Sequence, residues 1–250
     1  MANTLIFGGS GKVARHITRL LAAEGHNVYS IIRKPEQQDD VKSLGGKPIL
    51  QSIEDSSVDD MVKTIKETKP STIIWAAGAG GGSPDRTKAV DNEGAIRSMD
   101  ATAKAGLTKR YIIISAVDVR DRENKPEPEW YNDGDRDRSN KVWNAIGPYM
   151  SAKLTADTSL VTQNSRRGLE YTIVRPGGLS QDPATGKVAA GKVHLNNMIP
   201  REDVAAFVVE VLKNDGTKGL AIDVVGGETP IRDAVAEVVR GKVDTFEGRY

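Results

Sequence analysis

The 250-residue sequence predicts an α/β fold, with helices on both faces of a doubly wound, mainly parallel sheet. Short runs rich in Val, Ile and Leu alternate with longer segments of helical periodicity, which is the pattern of strand–helix–strand units. Near-continuous apolar strands are expected where helices cover both faces of a sheet. The length favours one domain over residues 1–250, with a small substrate-side region towards the C-terminus.

Seven apolar runs are the predicted strands: 4–7, 28–32, 48–50, 72–76, 111–115, 171–174 and 221–225. Five segments between them have helical periodicity: 12–24, 57–67, 91–105, 148–163 and 202–213. Gly25 and Gly106 are expected to end the first and third of these helices, and Ser56 is expected to cap the second. The charged stretch 118–146 is too long for an ordinary connection, so it is either a lid over a substrate pocket or a solvated insertion.

The composition excludes several classes of function. The 35 basic and 34 acidic residues nearly cancel, which argues against a nucleic-acid partner. The sequence has no cysteine and three histidines, so disulfides, thiolate chemistry and Cys-based metal sites are excluded and no metal is expected. No signal peptide and no apolar run long enough to cross a membrane are present, and we expect a cytoplasmic protein without a membrane partner.

A glycine-rich turn follows the first predicted strand and opens the first predicted helix. Gly8 allows a sharp turn, Gly11 allows a pyrophosphate to approach the backbone, and Ala14 allows the helix to pack on the sheet. The N–H groups at the start of the helix suit an anion. This order of elements is typical of a Rossmann-type dinucleotide-binding fold. The residues expected to contact the cofactor here are Gly8, Gly9, Ser10, Gly11, Lys12 and Val13.

Arg33 stands at the end of the second strand, where NAD-binding proteins usually carry an acidic residue for the ribose 2′-hydroxyl. A guanidinium can instead form charge-assisted hydrogen bonds with a 2′-phosphate. Arg33 therefore favours NADP over NAD. The alternative is that it only covers an exposed strand end.

Six segments give the chain a resemblance to a known family: GGSGKVA at residues 8–14, and the segments 73–80, 90–95, 114–116, 149–153 and 171–179. In their order and spacing they resemble the atypical branch of the short-chain dehydrogenase/reductase superfamily, the NmrA-like and biliverdin-reductase-B-like NAD(P)-binding proteins. The resemblance implies further cofactor contacts at Ser52, Ile53, Ala76, Ala77, Gly78, Lys153, Pro176, Gly177 and Gly178. It also implies a catalytic set of Ser115, Tyr149 and Lys153.

In that set, Tyr149 would give its phenolic proton to a carbonyl oxygen as hydride arrives from NADPH. Lys153 is one helical turn away and would lower the pKa of Tyr149. Ser115 would donate a hydrogen bond to the same oxygen. The alternative is a helix whose tyrosine packs on the sheet and whose lysine binds ribose without catalysis.

The leading hypothesis is an NADPH-dependent oxidoreductase that acts on a small carbonyl, enone or related electrophile. Four further side chains are candidates for substrate contact: Trp130, Tyr131, Trp143 and His194. Two other hypotheses remain open at this point. One is an NmrA-like NADP-sensing regulator with a protein partner and no turnover, and the other is an isomerase or lyase with tightly bound NADP.

Overall fold

The computed structural model describes residues 2–81 and 83–250. Its strands are β1 (Asn3–Phe7), β2 (Asn27–Ile32), β3 (Lys47–Leu50), β4 (Thr72–Trp75), β5 (Arg110–Ile114), β6 (Glu170–Pro176), β7 (Leu179–Ser180), β8 (Lys187–Ala190), β9 (Ile199–Pro200), β10 (Leu220–Gly226) and β11 (Thr229–Pro230). Its helices are α1 (Lys12–Ala23), α2 (Gln38–Ser43), α3 (Val58–Thr68), α4 (Pro84–Thr87), α5 (Ala95–Ala105), α6 (Asp133–Thr162), α7 (Asn164–Arg167), α8 (Arg201–Lys213) and α9 (Ile231–Gly241). A π-helical turn, Lys88–Gly94, joins α4 to α5.

Nine of the strands form one sheet in the order β3-β2-β1-β4-β5-β6-β10-β8-β11. All pairs from β3 to β10 are parallel, whereas β8 pairs antiparallel with β10 and β11. The predicted doubly wound, mainly parallel fold is therefore confirmed. The strand order changes direction between β1 and β4, and ligands of such folds bind beyond the carboxyl ends of the strands at this point.

Helices cover both faces of the sheet. One core cluster joins α3, α5 and α6 to the sheet through large buried side chains that include Met61, Trp75 and Tyr111. The second joins α1, α8 and α9 to the opposite face and includes Ile17, Phe207 and Val235. This burial explains why the central strands are apolar at consecutive positions rather than at alternate ones.

The start of α3 corrects one sequence expectation. Ser57, and not Ser56, caps the helix: its hydroxyl accepts from Asp60 N at 3.2 Å, and the Asp60 carboxylate accepts from Ser57 N at 2.9 Å. This reciprocal pair requires an acceptor side chain three residues after the cap, and Asp60 provides it for Ser57. The Ser56 hydroxyl donates instead to the carbonyl of Ser52 at 2.6 Å.

Two helices begin earlier in the chain than the periodicity predicts. The helix expected at 91–105 is preceded by α4 and the π-helical turn, and the helix expected at 148–163 starts at Asp133. Asn132 caps α6 and accepts from Asp135 N at 3.0 Å, so the second half of the stretch 118–146 is helical. A kink at Ile146, with φ −134° and ψ 31°, divides α6 just before Pro148.

Within residues 2–81 and 83–250, no helix combines the length and the apolar character that crossing a membrane requires.

Candidate functional site

Two cavities adjoin at the carboxyl edge of the sheet, beside the change in strand order. The smaller, of about 250 Å³, is lined by Arg33, Ile53 and other residues that follow β1, β2, β3 and β4. The larger, of about 720 Å³, is lined by residues that follow β1, β4, β5 and β6, and by α6. The two cavities share six lining residues: Ser10, Gly11, Ala76, Ala77, Gly78 and Gly80. They therefore form one continuous depression that is long enough to take an extended ligand.

The glycine-rich turn forms the floor at the junction of the cavities. Gly8 has φ +81°, and a Cβ atom there would lie 2.5 Å from Cα of Ala77. A Cβ atom at Gly9 would lie 2.4 Å from Cβ of Ser30. Only glycine fits at these two positions, because the turn packs directly on the neighbouring strands. Since no side chain caps α1 at Gly11, the first N–H groups of the helix are free to bind an anion.

A pair of arginines marks the far end of the smaller cavity. Arg33 and Arg86 both line it, and both contact one carboxylate oxygen of Glu54: Arg33 Nη1 at 2.9 Å and Arg86 Nε at 2.9 Å. Arg86 also donates to the carbonyl of Ala79. Arg86 and Glu54 are distant from Arg33 in sequence, and neither was singled out by the sequence motifs. The site thus carries two guanidinium groups and one carboxylate, a net charge of +1.

The larger cavity brings together the three side chains expected to be catalytic. Ser115 directly follows β5, and Tyr149 and Lys153 lie one turn apart on α6 after its kink. The Lys153 ammonium is 5.7 Å from the centre of the Tyr149 ring. It also forms a buried ion pair with Asp91 Oδ1 at 3.1 Å and donates to the carbonyl of Ile114 at 3.1 Å. Asp91 belongs to the π-helical turn and was not among the predicted site residues.

The pKa of Tyr149 shifts in the direction opposite to the one expected from its spacing to Lys153. Burial raises the pKa of the Tyr149 hydroxyl, and the attraction of the Lys153 ammonium offsets this only in part. Burial also disfavours the Lys153 ammonium, but Tyr149 and Asp91 more than compensate, so the pKa of Lys153 is raised as well. Burial outweighs the attraction of Lys153, and the charges of Asp91 and Asp157 act in the same direction as burial, so the pKa of the phenol lies above its usual value.

Ser115 also has a partner that the sequence did not predict. Its hydroxyl donates to Asp157 Oδ2 at 2.5 Å, and both side chains are buried. Burial raises the pKa of the Asp157 carboxyl to about 6, and the hydrogen bond from Ser115 works in the opposite direction. Asp157 lies four residues after Lys153 on the same face of α6, so helical spacing from Tyr149 and Lys153 could have found it.

The aromatic residues of the stretch 118–146 do not line either cavity. Trp143 Nε1 donates to Asp118 Oδ2 at 3.1 Å, one layer behind the wall, and Trp130 packs edge-on against Tyr131. Their rings are instead covered by cations: Arg122 over Trp143, Arg120 over Tyr131, and Lys192 and Arg249 over Trp130. These aromatics pack within the segment and lie outside both cavities, so their predicted contact with a substrate stays a prediction.

Two other expected contacts also lie outside the cavities. His194 Nδ1 donates to the buried Asp135 carboxylate at 2.6 Å, and the histidine side chain is exposed. Ser52 follows β3, but its neighbours Gln51 and Ile53 line the smaller cavity instead. The stretch 118–146 does contribute to the larger cavity, through Asp118 and four residues of α6: Arg138, Ser139, Val142 and Ile146.

The two cavities fit a dinucleotide. The glycine floor, which any Cβ atom would fill, and the uncapped start of α1 could hold a pyrophosphate. The smaller cavity, with its apolar Ile31, Ile32 and Ile53 and its arginine pair, could hold an adenosine ribose with a charged substituent. The turn of Pro176, Gly177 and Gly178 lines the larger cavity, where the other end of the molecule would lie.

Comparison with known proteins agrees with this geometry. The family model described as NAD(P)H-binding matches residues 8–215. The chain is 39% identical over 240 residues to the UPF0659 protein C216.03 of Schizosaccharomyces pombe, covering 95% of this chain and 96% of that protein. It is 33% identical over 236 residues to the uncharacterized sugar epimerase YhfK of Bacillus subtilis, covering 93% and 98%. The crystal structure of the oxidoreductase YlbE of Lactococcus lactis superposes with a TM-score of 0.76 at 27% identity, covering 95% of this chain and 97% of that one. The chain therefore belongs to the family of NAD(P)H-binding proteins, and these similarities support the resemblance to atypical short-chain dehydrogenases/reductases that its sequence motifs indicated.

Proposed function

We propose that the protein is an NADPH-dependent oxidoreductase that reduces a small carbonyl, enone or related electrophile. One observation carries the proposal: Ser115, Tyr149 and Lys153 line the same cavity as the turn 176–178, and that cavity continues into the one lined by the glycine-rich turn and Arg33. In this proposal the proton-bearing side chains lie at one end of the bound dinucleotide. The solved oxidoreductase of similar fold is consistent with this reading.

The arginine pair supports NADP as the form of the cofactor. Arg33 and Arg86 flank one corner of the smaller cavity, and a 2′-phosphate there would accept charge-assisted hydrogen bonds from both. Glu54 holds the two guanidinium groups in place, although its own charge opposes a phosphate. With two cations against one anion, the balance of charge favours the phosphorylated ribose.

When bound, the nicotinamide supplies the hydride. Tyr149 donates its phenolic proton to the substrate oxygen, so that a carbonyl becomes an alcohol with one hydride and one proton added. The raised pKa of Tyr149 keeps this proton on the phenol at neutral pH. Lys153, held by Asp91, stabilises the phenolate left after transfer. The Ser115 hydroxyl donates its hydrogen bond to Asp157 and not to the substrate carbonyl, so its oxygen would accept a hydrogen bond from the product hydroxyl.

Turnover with a matched tyrosine variant tests this function. The protein should oxidise NADPH in the presence of at least one member of a panel of aldehydes, ketones, quinones and enones. Tyr149→Phe should lower turnover by at least about 100-fold and change the NADPH dissociation constant by less than about 2-fold, because general acid catalysis is lost while binding is kept. Tyr29→Phe, on β2 and outside both cavities, is the control. Undiminished turnover in Tyr149→Phe would exclude the tyrosine as proton donor.

A second candidate function is an epimerase or isomerase that retains its nucleotide. The name of the 33% identical Bacillus subtilis relative favours it, and so does the Ser115–Asp157 pair, which can accept a proton from a substrate hydroxyl. This candidate predicts that nucleotide co-purifies in equimolar amount and that its nicotinamide absorbance does not change during turnover. Nucleotide binding without any turnover, together with nucleotide-dependent capture of a protein partner, would instead support the regulator.

A further inference from the structure

Arg138 is a cation without an anion at the wall of the larger cavity. It lies on the part of α6 that precedes the kink, and its side chain is half-buried. Within residues 2–81 and 83–250, no carboxylate lies within 4.0 Å of its guanidinium, and the guanidinium makes no hydrogen bond. A guanidinium has five N–H donors and keeps its charge at every physiological pH. Because Arg138 lines the cavity, these donors are available to a ligand there.

The position of Arg138 relative to the site is defined by Gly178. A Cβ atom built on Gly178 would lie 3.5 Å from Nη2 of Arg138, so the guanidinium lies against the turn 176–178. This turn lines the same cavity as Tyr149 and Lys153. Arg138 and Tyr149 therefore line one cavity, and a substrate of Tyr149 would enter the same cavity.

Arg201 is a second cation of the same cavity. It begins α8, and its Nη1 donates to the carbonyl of Ser180 at 2.7 Å. In the described part of the chain it also has no carboxylate within 4.0 Å, although Arg19 and His16 nearby both contact Glu202. The neighbouring arginines of the stretch 118–146 behave differently, since Arg120 pairs with Asp118 and Arg136 pairs with Glu127.

The remaining lining explains what kind of molecule the two cations would meet. The acidic group of this wall, Asp118, is neutralised by Arg120 at 2.8 Å and accepts from Ser139 at 2.6 Å. Val142, Ile146 and several other apolar residues form the rest of the wall. The cavity thus combines an apolar surface with two uncompensated guanidinium groups, which suits an apolar body that carries an acid group.

We propose that the substrate is an organic anion: an apolar carbonyl compound whose carboxylate or phosphate group is bound by Arg138, with Arg201 as a second cation. This inference rests on the proposed function, because it assigns the reacting carbonyl to the same cavity. Bidentate, charge-assisted hydrogen bonds from Arg138 would strengthen binding of the anion about 10-fold to 150-fold over a neutral analogue.

Matched pairs of probes test the inference. The pairs are 4-formylbenzoate with its methyl ester, and glyceraldehyde 3-phosphate with glyceraldehyde. Dissociation constants are measured by calorimetry on protein loaded with NADP⁺, so that no hydride is available. At least one anion should bind about 10-fold or more tightly than its neutral partner. The two pairs separate a carboxylate ligand from a phosphate ligand.

Substitutions at Arg138 then locate the binding site. Arg138→Gln should abolish the preference for the anion, and Arg138→Lys should retain part of it, because lysine keeps the charge but loses the bidentate geometry. Arg136→Gln removes a cation of the same helix that lies outside both cavities, and it should leave the preference unchanged.

Three results would overturn the inference. They are the absence of any anion preference in the wild-type protein, a preference that survives in Arg138→Gln, and an equal loss of preference in Arg136→Gln. The affinity for NADPH is measured on the wild-type protein and on each variant. It distinguishes failure of the inference about the substrate from failure of the proposed function. If the wild-type protein does not bind NADPH, the proposed function itself is contradicted. If it binds NADPH normally but shows no preference for the anion, only the inference about the substrate is refuted.

Discussion

Arg33→Gln should separate the affinities for NADPH and NADH. Arg33 is about half exposed and contacts Glu54 Oε1 at 2.9 Å on the rim of the smaller cavity. A charge-assisted hydrogen bond from its guanidinium to a 2′-phosphate is worth about 1.5–3 kcal/mol, or about 10-fold to 150-fold in affinity. NADH has no such phosphate. We therefore expect the NADPH dissociation constant to rise about 10-fold or more, and that of NADH to change by less than about 3-fold.

The ion pair between Arg33 and Glu54 reduces the expected difference between the effects on NADPH and NADH affinity only slightly. Half-exposed pairs contribute at most about 1 kcal/mol, so giving up the contact with Glu54 costs less than the phosphate contact gains. Glu54→Gln should have the opposite effect to Arg33→Gln. It removes the one negative charge of this corner of the cavity, and a partly exposed charge of this kind is worth at most about 1 kcal/mol, or about 5-fold tighter NADPH binding.

Both variants can be tested without knowledge of the substrate. Titration of each protein with NADPH and NADH, followed by nicotinamide fluorescence or calorimetry at one fixed ionic strength, gives the four dissociation constants required. If Arg33→Gln weakens the binding of NADH as much as the binding of NADPH, Arg33 does not contact the 2′-phosphate and serves only to cover the strand end. If Glu54→Gln weakens the binding of NADPH, the carboxylate acts chiefly by holding the two arginines in place. Its negative charge then does not determine the affinity for NADPH.

Two further predictions concern stability. Gly8→Ala should lower the free energy of unfolding by at least about 1–3 kcal/mol and lower the melting temperature, because it combines a positive φ with a contact of 2.5 Å to Ala77. Gly25→Ala, with φ +83° and no neighbour within 4 Å, is the matched control, and an equal loss in both would contradict the contact. Burial raises the pKa of Asp157 from 3.8 to about 6, so the folded state binds its proton more tightly than the unfolded chain and stability falls as pH rises from about 4 to 6. Asp157→Asn should remove this loss, about 3 kcal/mol, in urea unfolding across that range, and parallel pH profiles for the two proteins would refute it.

The sheet and its glycine-rich turn were predictable because their signals are local. All seven apolar runs are strands, since a strand buried on both faces must be apolar at consecutive positions. The turn at Gly8 was recognisable because a positive φ and close backbone contact leave glycine as the only choice. The short strands β8 and β11 carry no comparable signal, because β8 pairs antiparallel with the distant β10 and β11 pairs antiparallel with β8.

The candidate site was predictable only where motif and strand end coincide. Ser115, Tyr149 and Lys153 do line one cavity. Of their partners, Asp157 follows the same helical spacing on α6, whereas Asp91 comes from a separate element and its contact with Lys153 depends on packing that periodicity does not reveal. The expectation that aromatics cover the pocket followed from their chemistry alone. In the fold, the Trp143 N–H donates to Asp118 instead. Which residues of α6 line the cavity depends on the side of the helix on which each side chain lies.

The kink at Ile146 divides α6 into two parts with different roles. Arg138, Ser139 and Val142 precede it and form the wall, whereas Tyr149 and Lys153 follow it, and Lys153 is held by Asp91 and by the carbonyl of Ile114. A change of direction between the two halves uncouples them mechanically, so a substitution in the wall need not displace the proton donor. Relatives that share this helix could therefore diverge in substrate while conserving their chemistry, with the boundary between variable and invariant positions falling at Ile146–Pro148.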